Sequence, residues 1–280
     1  GGLVAPDSDN NPWNYKFTWN PRNVVMAGNG VSQFIKNGRY KYIPYHRLFD
    51  RAFNRKILGY GDFEVYANRD SLKYRSIYDL KDIPSMFRGT IRRPGFSKAW
   101  NVFVRLGMTE DNYTLESSEN MTYRQFLNSF LRYEPNVPAE IKLQEYCSNA
   151  ADPVVMEKLK WLGIFDERKI GLKNATPAQI LQQLLEERWS MDPQDKDMIV
   201  MQHEFKYLTD GVEKMIVSAM AVIGKNQTET AMAITVGLPL AIATKLLMLG
   251  KFNHTGVILP TEKQMYEPIL DELSTFGITF

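Results

Sequence analysis

Cysteine is almost missing from this chain of 280 residues. Cys147 stands alone, so no intramolecular disulfide can form, and a reducing, cytoplasmic setting is expected. Histidine is nearly as scarce: His46, His203 and His254 lie far apart without i, i+4 spacing, which argues against a zinc site and leads us to expect no metal. An excess of charge of one sign is also absent. With 34 basic and 32 acidic residues the formal net charge is +2, which gives no footprint of a nucleic-acid binder. The most membrane-like run, 231–249, is interrupted by Pro239 and Lys245, so a buried helix and no membrane contact are expected. No charged segment followed by an apolar one opens the chain. It begins Gly1-Gly2-Leu3 without a methionine, and a processed or truncated piece is expected. Nucleophile elbow, Walker loop, zinc spacing, internal repeat and low-complexity segment are all lacking.

What remains is an ordinary globular composition, 44% hydrophobic and 24% charged, on a chain long enough for one large or two smaller folding units. Pro6, Asp7, Asp9 and Pro12 make the first segment an irregular connector, and 15–19 alternates like a strand. Asn20-Pro21 supplies an N-cap followed by proline at the first helical position, so a helix starts at Pro21. That start counts against a dinucleotide loop in Val24 to Gly30, which also fails at Gln33, where a third glycine is needed. Strands are expected at 40–45, 63–66 and 86–92.

Composition then changes. Helical windows at 95–107, 122–133, 138–148, 153–162 and 176–189 follow one another, punctuated by Pro135, Pro153 and Pro177. Alternation returns at 199–207, and Asp210-Gly211 signals a hairpin back through 214–222. A helix over 230–249, a short strand at 256–259 and a helix over 261–276 complete the chain. The order predicts an α/β (α+β) fold, a mixed sheet flanked by helices, with an all-helical insert. We place the α/β part at 1–94 and 195–260, the helical part at 95–194 and a C-terminal segment at 261–280.

The stretch Tyr66-Ala67-Asn68-Arg69-Asp70-Ser71 ends the alternating run Asp62 to Val65, and its polar tetrad cannot continue a buried strand. An arginine held on such a turn can be aimed at a carboxylate, which guanidinium grips through two parallel N–H bonds. The residues alone favour the plainer reading, in which Asp70 and Arg69 form a surface ion pair that caps the turn. His203 reads as a base or as a structural residue, Thr235 beside Gly237 as a ligand contact or as helix packing, and Trp19 as a platform for a flat ligand or as core.

Several stretches in family order resemble the glutamate-forming saccharopine dehydrogenases, also called saccharopine reductases. They are Gly1-Gly2-Leu3-Val4-Ala5-Pro6, the run from Asn11 to Arg22, the Tyr66 to Ser71 stretch, Arg88-Gly89-Thr90-Ile91-Arg92, Trp161-Leu162-Gly163-Ile164-Phe165, Met201-Gln202-His203, Val236-Gly237-Leu238-Pro239 and Gly256-Val257-Ile258-Leu259-Pro260. The resemblance implies a three-part enzyme whose Rossmann domain lies outside this chain, leaving the substrate-binding and helical portions. It implies reduction of the imine of glutamate and 2-aminoadipate 6-semialdehyde to saccharopine, or the reverse, with NADP or NAD bound mainly by the other part, and a homodimer. By the same resemblance Arg69 holds a substrate carboxylate, and Asn68, Thr90, Ile91, Arg92, Trp19 and Thr235 contribute to the substrate pocket. Asn20 would stand near the nicotinamide, no proton donor can be named, and 261–280 would pack on the Rossmann domain. The chain departs from the family pattern at Ala67, at Trp13-Asn14, at Asn20 and Asn23, and around Gln227 to Glu229. A second reading keeps the fold without the catalysis, as an amino-acid-binding or dimerisation module.

Overall fold

The computed structural model describes residues 1–57, 59–147 and 152–280. Its strands are β1 (Gly2–Val4), β2 (Val31–Lys36), β3 (Arg39–Pro44), β4 (Phe53–Ile57), β5 (Gly61–Ala67), β6 (Gly89–Arg92), β7 (Asp197–Thr209) and β8 (Val212–Ile223). They form three small sheets, β1-β7-β8, β2-β3 and β4-β5-β6, and every pairing within them is antiparallel. The α+β class therefore holds, while the single mixed sheet expected from the sequence is divided. Two pairs, β2-β3 and β7-β8, are closed by their own two-residue turns and need no crossover to a common sheet. Asp210 and Gly211 sit at φ 52° and 76°, the left-handed pair a tight hairpin turn requires.

Two expected strands are absent as ladders. Residues 15–19 are irregular: Tyr15 and Phe17 pack edge-on against Trp189, and the Phe17 amide donates to the Trp189 carbonyl at 2.7 Å. Their alternation reflects contact with one tryptophan rather than a neighbouring strand. Residues 256–259 are likewise irregular and exposed, with Val257 fully in solvent. In the opposite direction, Gly2–Val4 lay hidden in what read as a connector; a strand of three residues carries too little alternation to detect. Val31–Lys36 and Phe53–Ile57 were also not anticipated.

The helices are α1 (Pro21–Val25), α2 (Tyr74–Ile77), α3 (Phe96–Leu106), α4 (Tyr123–Asn128), α5 (Ala139–Cys147), α6 (Pro153–Leu162), α7 (Pro177–Trp189), α8 (Ala231–Met248) and α9 (Lys263–Thr275). The Thr122 and Thr176 side chains each form a capping box with the glutamine three residues on, and Asp152 caps α6 with Pro153 behind it. α4 is half the expected length, and residue 148, the expected end of α5, lies outside the described residues. A core of Trp100, Phe103, Phe126, Leu143, Leu159, Leu181 and Leu184 fills the helical body and runs on without a break into Trp13, Tyr15, Leu48, Phe49 and Tyr66. Burying a side chain of this size contributes roughly 1.5–3 kcal/mol.

Glu64 ties the strands to this body: its carboxylate accepts from the Gly95 amide at 2.6 Å and the Ser97 amide at 2.9 Å, where α3 begins. A negative charge there also meets the positive end of the helix dipole. Asp197 does the same for α8, accepting from Ala231 at 2.6 Å and Met232 at 2.9 Å. Beyond that first turn α8 corrects the expectation of a buried helix. Among its described residues only Ala231 and Ile242 are buried, and it rests on α9 through Ile242, Phe252, Met265, Ile269 and Leu273. By length and composition alone it is long and apolar enough to cross a membrane.

Candidate functional site

β5 ends at Ala67, and the next backbone amide, Asn68, donates to the Arg88 carbonyl at 2.8 Å. Arg69 then turns left-handed, φ 45°, a conformation that costs a branched or long L-residue roughly 1–2 kcal/mol. The turn is held from outside the strand. Gln33 of β2 donates its amide to the Arg69 carbonyl at 2.9 Å and accepts at its own carbonyl from the Ser71 amide at 2.9 Å. Asp70 does not pair with Arg69; its carboxylate accepts from the Leu72 amide at 2.8 Å and the Lys73 amide at 3.3 Å. The buried Ser71 hydroxyl accepts from the Arg88 amide at 3.0 Å. The surface ion pair considered above is therefore absent, and the Arg69 guanidinium projects into solvent without a carboxylate partner among the described residues.

Thr90 and Arg92 share a face of β6. Thr90 lies opposite Tyr66 and Arg92 opposite Glu64, whereas Ile91 lies opposite Val65 on the other face. Ile91 packs with Leu3, Phe63, Val65 and Val200, so its side chain is a core contact and only its backbone is oriented with Thr90. Arg92 is buried among the rings of Tyr15, Phe96 and Tyr66, with centroids 5.0, 5.4 and 5.9 Å from its guanidinium carbon. One nitrogen donates to the Ile91 carbonyl at 3.1 Å, and Nε has no acceptor among the described residues. A guanidinium stays charged, so the three aromatic faces and one carbonyl bear the cost of its burial.

Trp19 is 47% exposed, which decides against the core reading for this tryptophan. Asn20 beside it caps α1, its side-chain oxygen accepting from the Asn23 amide at 3.3 Å. Thr235 turns its hydroxyl back into the helix, donating to the Ala231 carbonyl at 2.8 Å. The first two residues connect these elements: a Cβ on Gly1 would strike Ile91 Cγ1 at 2.5 Å, and one on Gly2 would meet Thr18 Oγ1 at 3.0 Å and Met232 Cε at 3.3 Å. Thr18, β6 and the start of α8 thus converge on β1. Arg69 is brought beside Arg88, two residues from Thr90 along the same chain, and not directly to Thr235.

Sequence reasoning missed Gln33, Arg88 and Tyr74. Arg88 stacks on the Tyr74 ring at 4.1 Å, with Lys73 at 5.3 Å from the same centroid. The Arg88-Gly89 pairing with Asn68 was available only once β5 and β6 were set in register. His203 lies 5.1 Å from the Phe280 ring and 6.1 Å from Phe205, and burial pulls its pKa down. Among the described residues no cluster of three or more His, Cys, Asp or Glu is arranged to hold a metal. The imitation dinucleotide loop is closed by packing: a Cβ on Gly28 would lie 2.5 Å from Leu48 Cδ2, so its glycine serves a close contact and leaves no cradle for a pyrophosphate.

An exposed arginine on a strained turn, a threonine-bearing strand beside it and an attached helical body make up an α+β unit with a guanidinium open to solvent. The chain belongs to the saccharopine dehydrogenase family: the family model "Saccharopine dehydrogenase C-terminal domain" matches residues 1–278. It is 32% identical over its whole length to the alpha-aminoadipic semialdehyde synthase of Mus musculus, spanning 31% of that protein. It is 29% identical over 99% of its length to the NADP(+), L-glutamate-forming saccharopine dehydrogenase of Saccharomyces cerevisiae, spanning 64% of it. The apo structure of that Saccharomyces cerevisiae enzyme superimposes with a TM-score of 0.87 at 28% identity, over 99% of this chain and 64% of the other. The chain therefore spans between about a third and two thirds of the relatives it matches.

Proposed function

We propose that this chain is the substrate-holding part of a saccharopine dehydrogenase-like oxidoreductase, acting on the C–N bond that joins glutamate to the aminoadipate skeleton. The observation that carries the reading is the Arg69 guanidinium, presented without a carboxylate partner among the described residues from a turn whose left-handed backbone is fixed by Gln33. A strained, over-determined backbone position with a free charged group is what a preorganised carboxylate ligand requires. Asn68, Thr90 and the Ile91 backbone would complete the pocket, with Arg92 beneath them; Trp19 and Thr235 would close it from the side of β1.

The cofactor, in its reduced form NADPH or NADH, would supply hydride to the imine carbon. Trp19, exposed beside Asn20, would meet the nicotinamide end, and the phosphates would lie with the remainder of a longer protein. The exposed apolar residues Val257, Ile258, Leu259, Leu270 and Phe276 are read as part of what this remainder covers. The β7-β8 hairpin is read as the homodimer contact, and a cytoplasmic setting belongs to the same proposal.

The test is turnover by the full-length protein. It should oxidise a reduced nicotinamide cofactor when given glutamate with 2-aminoadipate 6-semialdehyde, and the 280 residues alone should not. Absence of turnover in the full-length protein, with saccharopine binding retained, would instead establish the non-catalytic module.

A further inference from the structure

Charge is distributed far more unevenly than the net +2 suggests. Residues 31–93 hold fourteen Lys and Arg against six Asp and Glu, a local net of +8, so the remainder of the chain carries −6. Within that segment and among the described residues, Arg47, Arg55 and Arg93 alone have carboxylate partners, Asp50, Glu204 and Asp9. Among the described residues Lys73, Arg75 and Arg88 lie beside the Arg69 turn without carboxylate partners, while Lys36, Arg39 and Lys41 share the face of the β2-β3 hairpin opposite that of Tyr40 and Tyr42. Arg88 and Lys73 sit over the Tyr74 ring, and Arg75 donates to the Tyr40 hydroxyl at 3.0 Å, which joins α2 to β3. Tyr42 stands opposite Gln33, the residue that holds the Arg69 carbonyl, and Arg39 and Lys41 flank Tyr40 in solvent. Asp70, Asp79 and Asp82 lie in the same segment; Asp70 is engaged with backbone amides, and none of the three forms an ion pair among the described residues.

We propose that Lys36, Arg39, Lys41, Lys73, Arg75 and Arg88 form a positive field that gathers small carboxylate anions toward Arg69 and sets their rate of arrival. This rests on the reading of Arg69 as the carboxylate ligand and adds to it a set of residues that touch no substrate. A cluster of one sign beside a binding group raises the association rate of an oppositely charged ligand by about 10- to 1000-fold at low ionic strength. The effect is lost when the Debye length shrinks from about 30 Å at 0.01 M salt to about 3 Å at 1 M. The six cations set against Asp70, Asp79 and Asp82 leave this surface net positive by three charges.

The experiment has two arms, both built on the triple reversal Arg39→Glu, Lys41→Glu, Lys73→Glu, at exposed positions outside the pocket; it lowers the segment from +8 to +2. In the first, Tyr42→Trp, at a position 61% exposed, reports the local potential through collisional quenching. Iodide should quench it about three-fold less in the reversed protein than in the Tyr42→Trp parent at 0.01 M salt, and equally at 1 M. Quenching by neutral acrylamide should be the same in both, which separates charge from altered folding. In the second arm, the full-length enzyme carrying the reversal should lose about ten-fold in kcat/KM for saccharopine at 0.01 M salt with kcat unchanged, and its dependence on salt should flatten. Identical salt dependence in parent and variant overturns the proposal. So does equal iodide quenching at low salt. Tight binding of a single-stranded RNA 20-mer at 0.15 M salt, abolished by the reversal while saccharopine kinetics stay indifferent to salt, would also overturn it in favour of a nucleic-acid surface. A parent that shows the iodide preference but neither binds nor turns over saccharopine sinks the proposed function and leaves the anion field standing.

Discussion

The Gln33 amide donates to the Arg69 carbonyl at 2.9 Å and its carbonyl accepts from the Ser71 amide at 2.9 Å, and through this pair of bonds a strand of one sheet holds the turn that ends a strand of another. The turn keeps Arg69 left-handed at φ 45° while its side chain has no carboxylate partner among the described residues. Stability and binding should therefore separate on substitution. Arg69→Gly removes the Cβ that the left-handed backbone disfavours and should raise unfolding free energy by up to about 1 kcal/mol in urea titrations. The same change in the full-length enzyme should lower kcat/KM for saccharopine by about 10- to 100-fold, in keeping with loss of a charge-assisted hydrogen-bond pair. Arg69→Ala should impair binding as much with no gain in stability. Unchanged apparent affinity for glutamate and saccharopine in both variants would remove Arg69 from the site.

Asp197 carries a structural burden that its position in the sequence does not reveal. Its buried carboxylate closes the first turn of α8, and Gly224 is required beside it, since a Cβ there would lie 2.2 Å from Asp197 Oδ1. Asp197→Ala leaves two amides unsatisfied and should destabilise the protein by about 2–4 kcal/mol. Asp197→Asn, which keeps one acceptor, should lose less. Urea midpoints for the two variants in the wrong order would mean that the helix is capped by Thr230 alone.

Elements with local signals were legible in the sequence and elements with remote partners were not. Asn20-Pro21, Thr176-Pro177 and Asp210-Gly211 mark their boundaries with their own chemistry, and the structure places a helix start or turn at each. Arg69 could be nominated from its polar tetrad, but its freedom from Asp70 follows from Asp70 capping Leu72 and Lys73, a choice between two nearby partners that spacing does not decide. Residues 15–19 alternated because Trp189, more than 170 positions away, contacts every second ring. The apolar sequence of α8 signalled burial, yet the described chain covers only its start and one side. A hydrophobic run reports that something is to be covered without saying by what.

Glu140 supplies a test of pH dependence. Its carboxylate accepts from two nitrogens of Arg124 at 2.9 Å each, and this hydrogen-bonded pair holds its pKa below the usual carboxylate range. A depressed folded pKa means that the contribution is present above the unfolded value, about 4.3, and is lost as pH falls through the folded one. Both side chains are about a third exposed, so the pair contributes no more than about 1 kcal/mol. Glu140→Gln should therefore unfold at slightly lower urea than the parent at pH 7, and the two curves should merge once the pH has fallen below the lowered folded-state value. A difference that persists there would locate the effect in packing rather than charge.

The β7-β8 hairpin offers the most direct test of assembly. Phe205 and Ile216 face each other in register and are 55% and 51% exposed, with Met215, Val217 and Leu208 exposed nearby. β8 is also the outer strand of its sheet, with one row of backbone groups unpaired. An edge of this length with apolar side chains is ordinarily blunted or covered, and self-pairing across a two-fold axis covers both copies at once. Sedimentation velocity at about 10 µM should show a dimer for the parent chain. Phe205→Asp with Ile216→Asp should convert it to monomer with its circular dichroism retained, because neither side chain contributes to the core. A parent that sediments as a monomer would assign this edge to another partner, and a variant that stays dimeric would place the two-fold elsewhere on the molecule.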